Sequence, residues 1–306
     1  MNSIAKKNVR AMALAAIGFS LYSCGDVFVK NAVMQYHPEQ VALWVNLCWL
    51  PLLLIFSSKV GGLKNTLKSR NIKWHLLRAL CGMIVFYTMM LGFAQLGMAK
   101  SYTLIFSAPF IATIFSIYVF GEKIRIHRWA AIAAGFFGVL VVLRPGFIPL
   151  EGAALGIVAA AFFYAASSII VRKIGEKEPL LAFSFFGVLA NLAVFGSLAI
   201  LNDRPLLPDT GHLWFFPLAA LFHVFGNFTA NRAFSSGETS TVAPFQYIQL
   251  LWGVLFGYLV FGNIIDFWTA LGGAIIVGSG IYMIHREHVR HREMTHGVVA
   301  SGAALE

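Results

Sequence analysis

The residues with the clearest chemical potential lie in one otherwise apolar stretch, FHVFGNFTANRAF. His223, Asn227 and Asn231 recur every four residues, which on a helix aligns them along one face. An imidazole and two amides in line can donate and accept several hydrogen bonds. They cannot face a hydrocarbon environment, because each unsatisfied polar group is costly there. The stripe therefore faces a solvated cavity or neighbouring helices, and three large polar groups favour the cavity.

Among 13 Asp and Glu, Asp26 is the one that falls well inside an apolar segment and not near its end. A carboxylate in such surroundings is by default a functional site, here for a proton or for the cationic group of a substrate. The alternative is a pair with Lys30, which follows at the i,i+4 spacing of helix neighbours. The sequence leaves both interpretations open.

The segment TVAPFQYIQLLW combines a helix breaker with hydrogen-bonding groups. Pro244 can kink a helix and free a backbone carbonyl. Gln246 and Gln249 share a helix face and suit hydrogen bonding to a substrate, although bonding between helices is an equal alternative. The aromatic residues suited to stacking in this segment are Tyr247 and Trp252.

Further polar or amphipathic residues lie inside apolar segments. Arg232 could bind an anionic group of a substrate, or extend its charge to the membrane surface. Arg78 lies one turn into its segment. It either extends its charge to the membrane surface in the same way or lies at the cytoplasmic opening of a cavity. The remaining candidates for substrate binding are Tyr22, Asn46, Tyr87, Gln95, Tyr102 and Tyr164. Aromatic residues at such positions more often pack helices.

The composition indicates which elements position these residues. The chain has 306 residues, of which 58% are hydrophobic and 12% charged, whereas soluble domains have about 25% charged residues. At about 20 residues per span, the chain accommodates roughly ten membrane helices. The apolar windows are 11–33, 38–57, 75–97, 100–120, 129–143, 152–172, 179–201, 213–234, 240–261 and 267–284. We therefore predict an all-α integral membrane protein with ten transmembrane helices.

The basic residues set the orientation. With ten crossings and a cytoplasmic N-terminus, 18 of the 23 Lys and Arg lie on the cytoplasmic side and 4 outside, while Arg232 lies within a span. This asymmetry follows the positive-inside rule and predicts that both termini are cytoplasmic. Because the charge is spread over short loops and forms no single groove, the net charge of +10 does not indicate nucleic-acid binding.

The chain also contains a repeat with an offset of 140–142 residues. Phe120-Gly121 recurs as Phe261-Gly262, and Tyr22 recurs as Tyr164. The first Phe-Gly pair is followed by EKIRIHRW, but the second by NIIDFW, which has no Lys or Arg. An odd number of spans per repeat inverts the second copy, so its loop emerges on the face where basic residues are disfavoured. Inverted five-span repeats are typical of secondary transporters.

Two segments resemble the ends of EamA-type repeats of the drug/metabolite transporter superfamily: LGMAKSYTLIFSAPFIATIFSIYVFGEKIRIHRW and SSGETSTVAPFQYIQLLWGVLFGYLVFGNIIDFW. The resemblance implies two inverted five-helix repeats, at 1–148 and 149–287, followed by a cytoplasmic tail at 288–306. It also implies alternating access around a central cavity. One departure is that Glu122 fits the family's Phe-Gly-Glu pattern, whereas Asn263 replaces the second glutamate.

These observations predict a secondary transporter in a bacterial cytoplasmic (inner) membrane, with a small-molecule substrate and the lipid bilayer as its partners. The expected substrate is a small polar organic metabolite: an amino acid, a derivative such as S-adenosylmethionine, or an organic acid. A channel is the alternative. We expect no enzymatic activity, cofactor or metal, while proton coupling and the choice between monomer and homodimer stay open. Gly253-x-x-x-Gly257 suits packing within the bundle better than dimerisation.

Overall fold

The computed structural model describes residues 3–59, 61–121, 126–147, 150–174, 178–205, 207–208, 210–236 and 243–302, and these contain helices but no extended strand. The helices are α1 (Ser3–Val33), α2 (Pro38–Phe56), α3 (Leu63–Leu67), α4 (Ile72–Gln95), α5 (Met98–Ile105), α6 (Ala108–Phe120), α7 (Ile126–Leu143), α8 (Gly152–Ile174), α9 (Leu180–Leu201), α10 (Phe215–Ser236), α11 (Ile248–Phe261) and α12 (Phe267–Gly302). Short 3₁₀ turns are Ser57–Lys59, Thr210–His212 and Ala243–Tyr247.

Many of these helices have the length and hydropathy of membrane spans. Six described segments are long and apolar enough to cross a bilayer: Val9–Val33, Pro38–Lys59, Ile72–Gln95, Met98–Phe120, Gly152–Ile174 and Leu180–Leu201. Shorter apolar helices cover Trp129–Leu143, Phe245–Phe261 and Phe267–Met283. The prediction of an all-helical integral membrane protein agrees with this architecture.

Two of the apolar windows are interrupted. The window 100–120 divides into α5 and α6 at Phe106 and Ser107, immediately before Pro109 in the first turn of α6. The described part of window 240–261 begins with a 3₁₀ turn that contains Pro244, and α11 follows it. Interrupted helices leave backbone groups without partners in their own helix, a feature of binding sites in membrane transporters.

The helices pack in pairs that bring distant parts of the chain together. Helix α1 packs along α10, α4 along α8, α2 along α9 and α7 along α12. Small residues allow close approach: a Cβ added to Gly18 would lie 2.8 Å from the backbone nitrogen of Ala230. At the crossing of α7 and α12, a Cβ added to Gly272 would lie 2.6 Å from the carbonyl oxygen of Gly138. Such close contacts stabilise helix pairs in membranes through van der Waals packing.

At one end of the bundle, which we call the Glu178 end, the start of α4 meets the start of α9. The Glu178 carboxylate accepts a hydrogen bond from Asn71 Nδ2 at 2.6 Å and lies 3.1 Å from His75 Nε2. The side chains of Glu178 and His75 are 3% and 0% exposed. The rings of Phe183 and Phe186 flank the imidazole, with centroids 5.1 and 5.0 Å away.

The protonation of Glu178 follows from these contacts. Burial alone would raise the pKa of its carboxyl, but hydrogen bonds from Asn71, His75 and Ser69 outweigh burial, and the pKa falls below its ordinary value of 4.5. The carboxylate is therefore the stable form at neutral pH.

At the opposite end, which we call the Tyr36 end, α2 and α10 begin. Here the contact is mainly aromatic. The Tyr36 ring lies edge-on to Trp44, with centroids 5.1 Å apart, and Trp44 packs against Phe216 at 4.8 Å. The Tyr36 hydroxyl lies 3.3 Å from Nδ1 of His212. Rings and one hydrogen bond thus join α2 to α10 here, and beside them the Glu39 carboxylate pairs with Arg204 at 3.4 Å.

Helices α6 and α11 end in the same way. Each terminates in a Phe-Gly pair whose glycine adopts the left-handed conformation, with φ 68° at Gly121 and 65° at Gly262. A cation from a neighbouring helix covers each phenylalanine: Arg172 Cζ lies 4.3 Å from the Phe120 centroid, and Lys30 Nζ lies 3.8 Å from the Phe261 centroid. Cations at helix C-termini are favoured by the helix dipole.

Candidate functional site

Asp26 lies at the centre of a polar cluster formed by α1, α5 and α10. The Tyr102 hydroxyl donates to Asp26 Oδ2 at 2.5 Å, and His223 Nε2 lies 3.0 Å from Oδ1. The predicted alternative, a pair between Asp26 and Lys30, is not formed. Lys30 instead donates to Asn263 Oδ1 at 2.6 Å, at the end of α11. The carboxylate therefore faces hydrogen-bond donors from other helices.

Glycines position the two donors of this cluster. A Cβ added to Gly253 would lie 2.5 Å from the Tyr102 ring, and a Cβ added to Gly25 would lie 3.0 Å from the His223 ring. The absence of side chains at both positions lets the rings approach Asp26. Gly253 thus packs within the bundle, whereas a Cβ added to Gly257 would meet no atom within 4 Å.

The polar stripe of α10 faces α1. Asn227 Nδ2 donates to the Tyr22 hydroxyl at 3.0 Å, and Asn231 Nδ2 donates to Asn227 Oδ1 at 2.8 Å. A Cβ added to Gly226 would lie 3.2 Å from the Tyr22 nitrogen, which shows how closely the helices approach here. Asn227 and Asn231 are only partly buried. The stripe therefore joins two helices and keeps polar surface accessible.

Trp49 of α2 belongs to this cluster, although the sequence analysis missed it. Its indole stacks on the His223 ring, with centroids 6.0 Å apart and planes 22° apart. Trp49 Nε1 and His223 Nδ1 are buried without a hydrogen-bond partner. The only signal in the sequence is the spacing of three from Asn46, which places both side chains on one side of α2.

Arg78 of α4 points toward α9. Its Nη2 donates to the backbone carbonyl of Phe183, and Cζ lies 5.3 Å from the Phe183 ring centroid. The Nε atom is buried without a partner, and within the described residues Arg78 forms no ion pair.

Several predicted site residues lie apart from this cluster. Asn46 is fully buried and accepts a hydrogen bond from Asn191 Nδ2 at 3.2 Å, which joins α2 to α9. Tyr87 stacks on Phe195 with centroids 5.9 Å apart. Gln95 is the last residue of α4 and is exposed.

The candidates of the ninth window line a different part of α1. Trp252 Nε1 donates to Ser20 Oγ at 2.7 Å. Tyr247 is buried against Phe106, with ring centroids 5.2 Å apart. The other candidates are Gln246 and Gln249, which are partly buried, and Arg232 and Tyr164, which are exposed.

Together these groups can bind a small polar solute with charged parts. The Asp26 carboxylate has lone pairs beyond its two hydrogen bonds, so it can accept further hydrogen bonds from a ligand. Tyr22 and Trp49 provide aromatic faces, and Asn227 provides an amide. This arrangement joins six of the sixteen predicted site residues, namely Tyr22, Asp26, Tyr102, His223, Asn227 and Asn231.

Comparison with known proteins indicates the family. The model of the EamA-like transporter family matches this chain twice, at residues 9–144 and 152–285. An S-adenosylmethionine uptake transporter of Rickettsia conorii is 27% identical over 296 residues, covering 94% of this chain and 96% of the relative. A riboflavin transporter of Vibrio cholerae is 27% identical over 272 residues, covering 86% and 91%. A solved crystal structure covers 92% of this chain and 98% of its own, with a TM-score of 0.61 and 17% identity.

Proposed function

This chain belongs to the EamA-like transporter family, and from that premise we propose that it is a secondary transporter that works by alternating access. Its substrate is a small polar organic metabolite: an amino acid, a derivative such as S-adenosylmethionine, or an organic acid. Two relatives that the chain spans almost completely are named for transport of S-adenosylmethionine and riboflavin. Both compounds are small polar metabolites, which supports the substrate class.

The proposed architecture is ten transmembrane helices in two inverted repeats, residues 1–148 and 149–287, with both termini in the cytoplasm of a bacterial cell. The double match of the family model supports two repeats. The helix packing supports a twofold relation between the repeats, because exchanging the two halves turns the main helix pairs into observed pairs. The pair α1–α10 becomes α8–α4, and α4–α9 becomes α10–α2. The region 288–306 is a tail whose described part continues α12.

The observation that carries the proposal is the Asp26 carboxylate, which receives donors from α5 and α10. Intramembrane acids are costly and mark substrate or ion pathways. The core of the proposed site is Tyr22, Asp26, Tyr102, His223 and Asn227, together with Trp49. The remaining predicted residues act along the path or pack the helices around it.

Proton coupling is part of the proposal. Asp26 Oδ1 lies 3.0 Å from His223 Nε2, so that an acid and an imidazole are in contact inside the bundle. Chains of acids and histidines inside membranes mark proton relays in transporters. The observation in favour of this coupling is that the carboxylate has no Lys or Arg partner among the described residues.

The test is uptake by proteoliposomes. We expect the wild type to take up radiolabelled S-adenosylmethionine faster when unlabelled substrate is inside, because an alternating-access carrier exchanges substrate across the membrane. Asp26→Asn should lower uptake at least about tenfold, since a charged hydrogen bond is lost. The control is Asp203→Asn, an exposed acid after α9, which should retain wild-type uptake.

Two results would count against this function. Equal uptake by Asp26→Asn and Asp203→Asn would show that the Asp26 carboxylate is not part of the substrate site. Flux with a measurable conductance and no stimulation by internal substrate would favour the alternative, a channel or facilitative pore.

A further inference from the structure

A cavity opens between the start of α5, helix α11 and the segment that joins α11 to α12. It contains about 370 Å³ of space, counting the part that opens to the surroundings. Pockets for small molecules have about 300–1,000 Å³. Several of the residues that line it are small, namely Gly97, Ala99, Gly253 and Gly257. Small side chains at these positions keep the space between α5 and α11 open.

Two glycines of α11 border this cavity in different ways. Gly257 is buried, yet a Cβ added to it would meet no atom within 4 Å, so this glycine faces empty space. Gly253 lies one turn earlier, and a Cβ added there would lie 2.5 Å from the Tyr102 ring. Along α11 the cavity is therefore open at Gly257 and ends at Gly253 against the tyrosine.

Tyr102 lies between the cavity and Asp26. Its ring packs against Gly253, which lines the cavity, and its hydroxyl donates to Asp26 Oδ2. Met98, one turn before Tyr102 on α5, also lines the cavity. The tyrosine is 3% exposed. One side chain thus contacts the wall of the cavity on one side and the carboxylate on the other.

The wall also carries charged and polar groups. Lys100 and Asp266 contribute one charge of each sign, and each is held in an ion pair. Asn263 contributes an amide, whose Oδ1 accepts a hydrogen bond from the buried Lys30 at 2.6 Å. Lys30 precedes Tyr36 by six residues, so the cavity lies toward the Tyr36 end. A wall that offers both signs of charge and an amide suits a small polar solute.

Resting on the proposed function, we propose that this cavity is the entrance through which the substrate reaches Asp26 from the Tyr36 end. Tyr102 closes the entrance in the conformation described, and the substrate passes when the tyrosine ring leaves Gly253. The same movement takes the hydroxyl donor away from Asp26. A carboxylate oxygen is then free to accept a hydrogen bond from the substrate as the path opens. The solute that passes is the small polar metabolite of the proposed function.

The test places a thiol in the empty part of the cavity. In the proposed topology the Tyr36 end faces outward, so right-side-out membrane vesicles expose it. Vesicles with Gly257→Cys are treated with a membrane-impermeant, thiol-reactive trimethylammonium reagent, and uptake of radiolabelled S-adenosylmethionine is measured before and after. The substitution alone should change uptake little, because a Cβ fits there. Modification should lower uptake at least about tenfold, because an occupied entrance adds a barrier to each crossing.

Two controls isolate the effect of the cavity. Wild-type vesicles treated in the same way measure any contribution of the native cysteines Cys24, Cys48 and Cys81. The matched variant is Gly278→Cys on α12, where an added Cβ also meets no atom within 4 Å but which does not line the cavity. Treated Gly278→Cys should retain its uptake.

The outcomes separate this inference from the proposed function. If modified Gly257→Cys and treated Gly278→Cys take up substrate equally, the substrate does not pass through the cavity, and the entrance is overturned while the transporter proposal stands. Mass spectrometry that finds no modification of Gly257→Cys would also overturn it, because the cavity would not open outward. No uptake by folded wild type would overturn both. If Gly257→Cys does not fold, Val254→Cys, which also lines the cavity, replaces it.

Discussion

At the Glu178 end, a carboxylate that is 3% exposed joins the start of α4 to the start of α9 through two polar partners. At the Tyr36 end, aromatic rings join the start of α2 to the start of α10. The repeat relates the two ends: an offset of 141 takes Asn71 to His212 and His75 to Phe216. Equivalent positions of the two repeats thus form helix contacts at both ends of the bundle. The residue types that make these contacts differ between the two ends.

This difference predicts how the helix contact at each end responds to pH. A contact that depends on a carboxylate changes with protonation, whereas packing of apolar rings is almost independent of pH. In the proposed topology the Glu178 end faces the cytoplasm and the Tyr36 end faces outward. During alternating access, the contact between α4 and α9 would then be held by a carboxylate inside, and the contact between α2 and α10 by ring packing outside.

The largest effect is expected for Glu178→Ala. Removing this carboxylate leaves Asn71 and the buried His75 without their acceptor, which should lower the free energy of unfolding by about 3 kcal/mol. The matched control is His37→Ala, at the equivalent position of the Tyr36 end, where the residue is exposed and the cost should stay within about 0.5 kcal/mol. Thermal unfolding in detergent measures both. Equal losses would mean that the carboxylate is not what distinguishes the ends.

The same end should respond to acid. Because the pKa of Glu178 in the folded protein lies below its ordinary value of 4.5, the stabilisation is present above that value and is lost as the pH falls through the folded-state pKa. The stability difference between wild type and Glu178→Gln should therefore shrink on acidification. The difference between wild type and Phe216→Leu, which changes only the ring packing of the Tyr36 end, should stay constant over the same range. Unfolding curves at several pH values check this, and a constant difference for Glu178→Gln would contradict it.

A smaller contrast is expected between the two Phe-Gly helix ends. Lys30 is 3% exposed and lies over Phe261, whereas Arg172 is exposed and lies over Phe120. Cation–π contacts are worth about 2 kcal/mol when desolvated and about 0.5–1 kcal/mol when exposed. Phe261→Leu should therefore destabilise more than Phe120→Leu, measured by thermal unfolding. The opposite order would show that burial of the cation does not set the strength of this contact.

The smallest effect is expected for Tyr36→Phe. The variant keeps the ring packing and removes one hydrogen bond of 3.3 Å to His212, so the loss should be about 0.5 kcal/mol. A loss as large as that of Glu178→Ala would mean that the Tyr36 end also depends on its polar contact.

The helices themselves could be predicted from hydropathy, because runs of about 20 apolar residues have few alternatives. The interruption between α5 and α6 could not. Pro109 gave a signal, but a proline is well tolerated in the first turn of a helix, so the break lies before it, at Phe106 and Ser107. Where a helix stops in such a run depends on what packs against it.

The candidate site was predictable where it depends on spacing along one helix, as for His223, Asn227 and Asn231. The partners of Asp26 were not. Lys30 is its local neighbour, whereas Tyr102 is 76 residues away, and the choice between them depends on how α1 is rotated in the bundle. Trp49 could not be predicted, because an aromatic residue in an apolar helix ordinarily packs against its neighbours.

The separation between Asp26 and its partners along the chain also has a consequence for synthesis. His223 follows Asp26 by 197 residues, which a ribosome adds in about 10–40 s at ordinary rates. During that interval α1 enters the bilayer with its acid, and Tyr102 is the first of the two partners to follow. Until α10 has been made, the Asp26 side chain in the inserted α1 lacks the partner that His223 supplies.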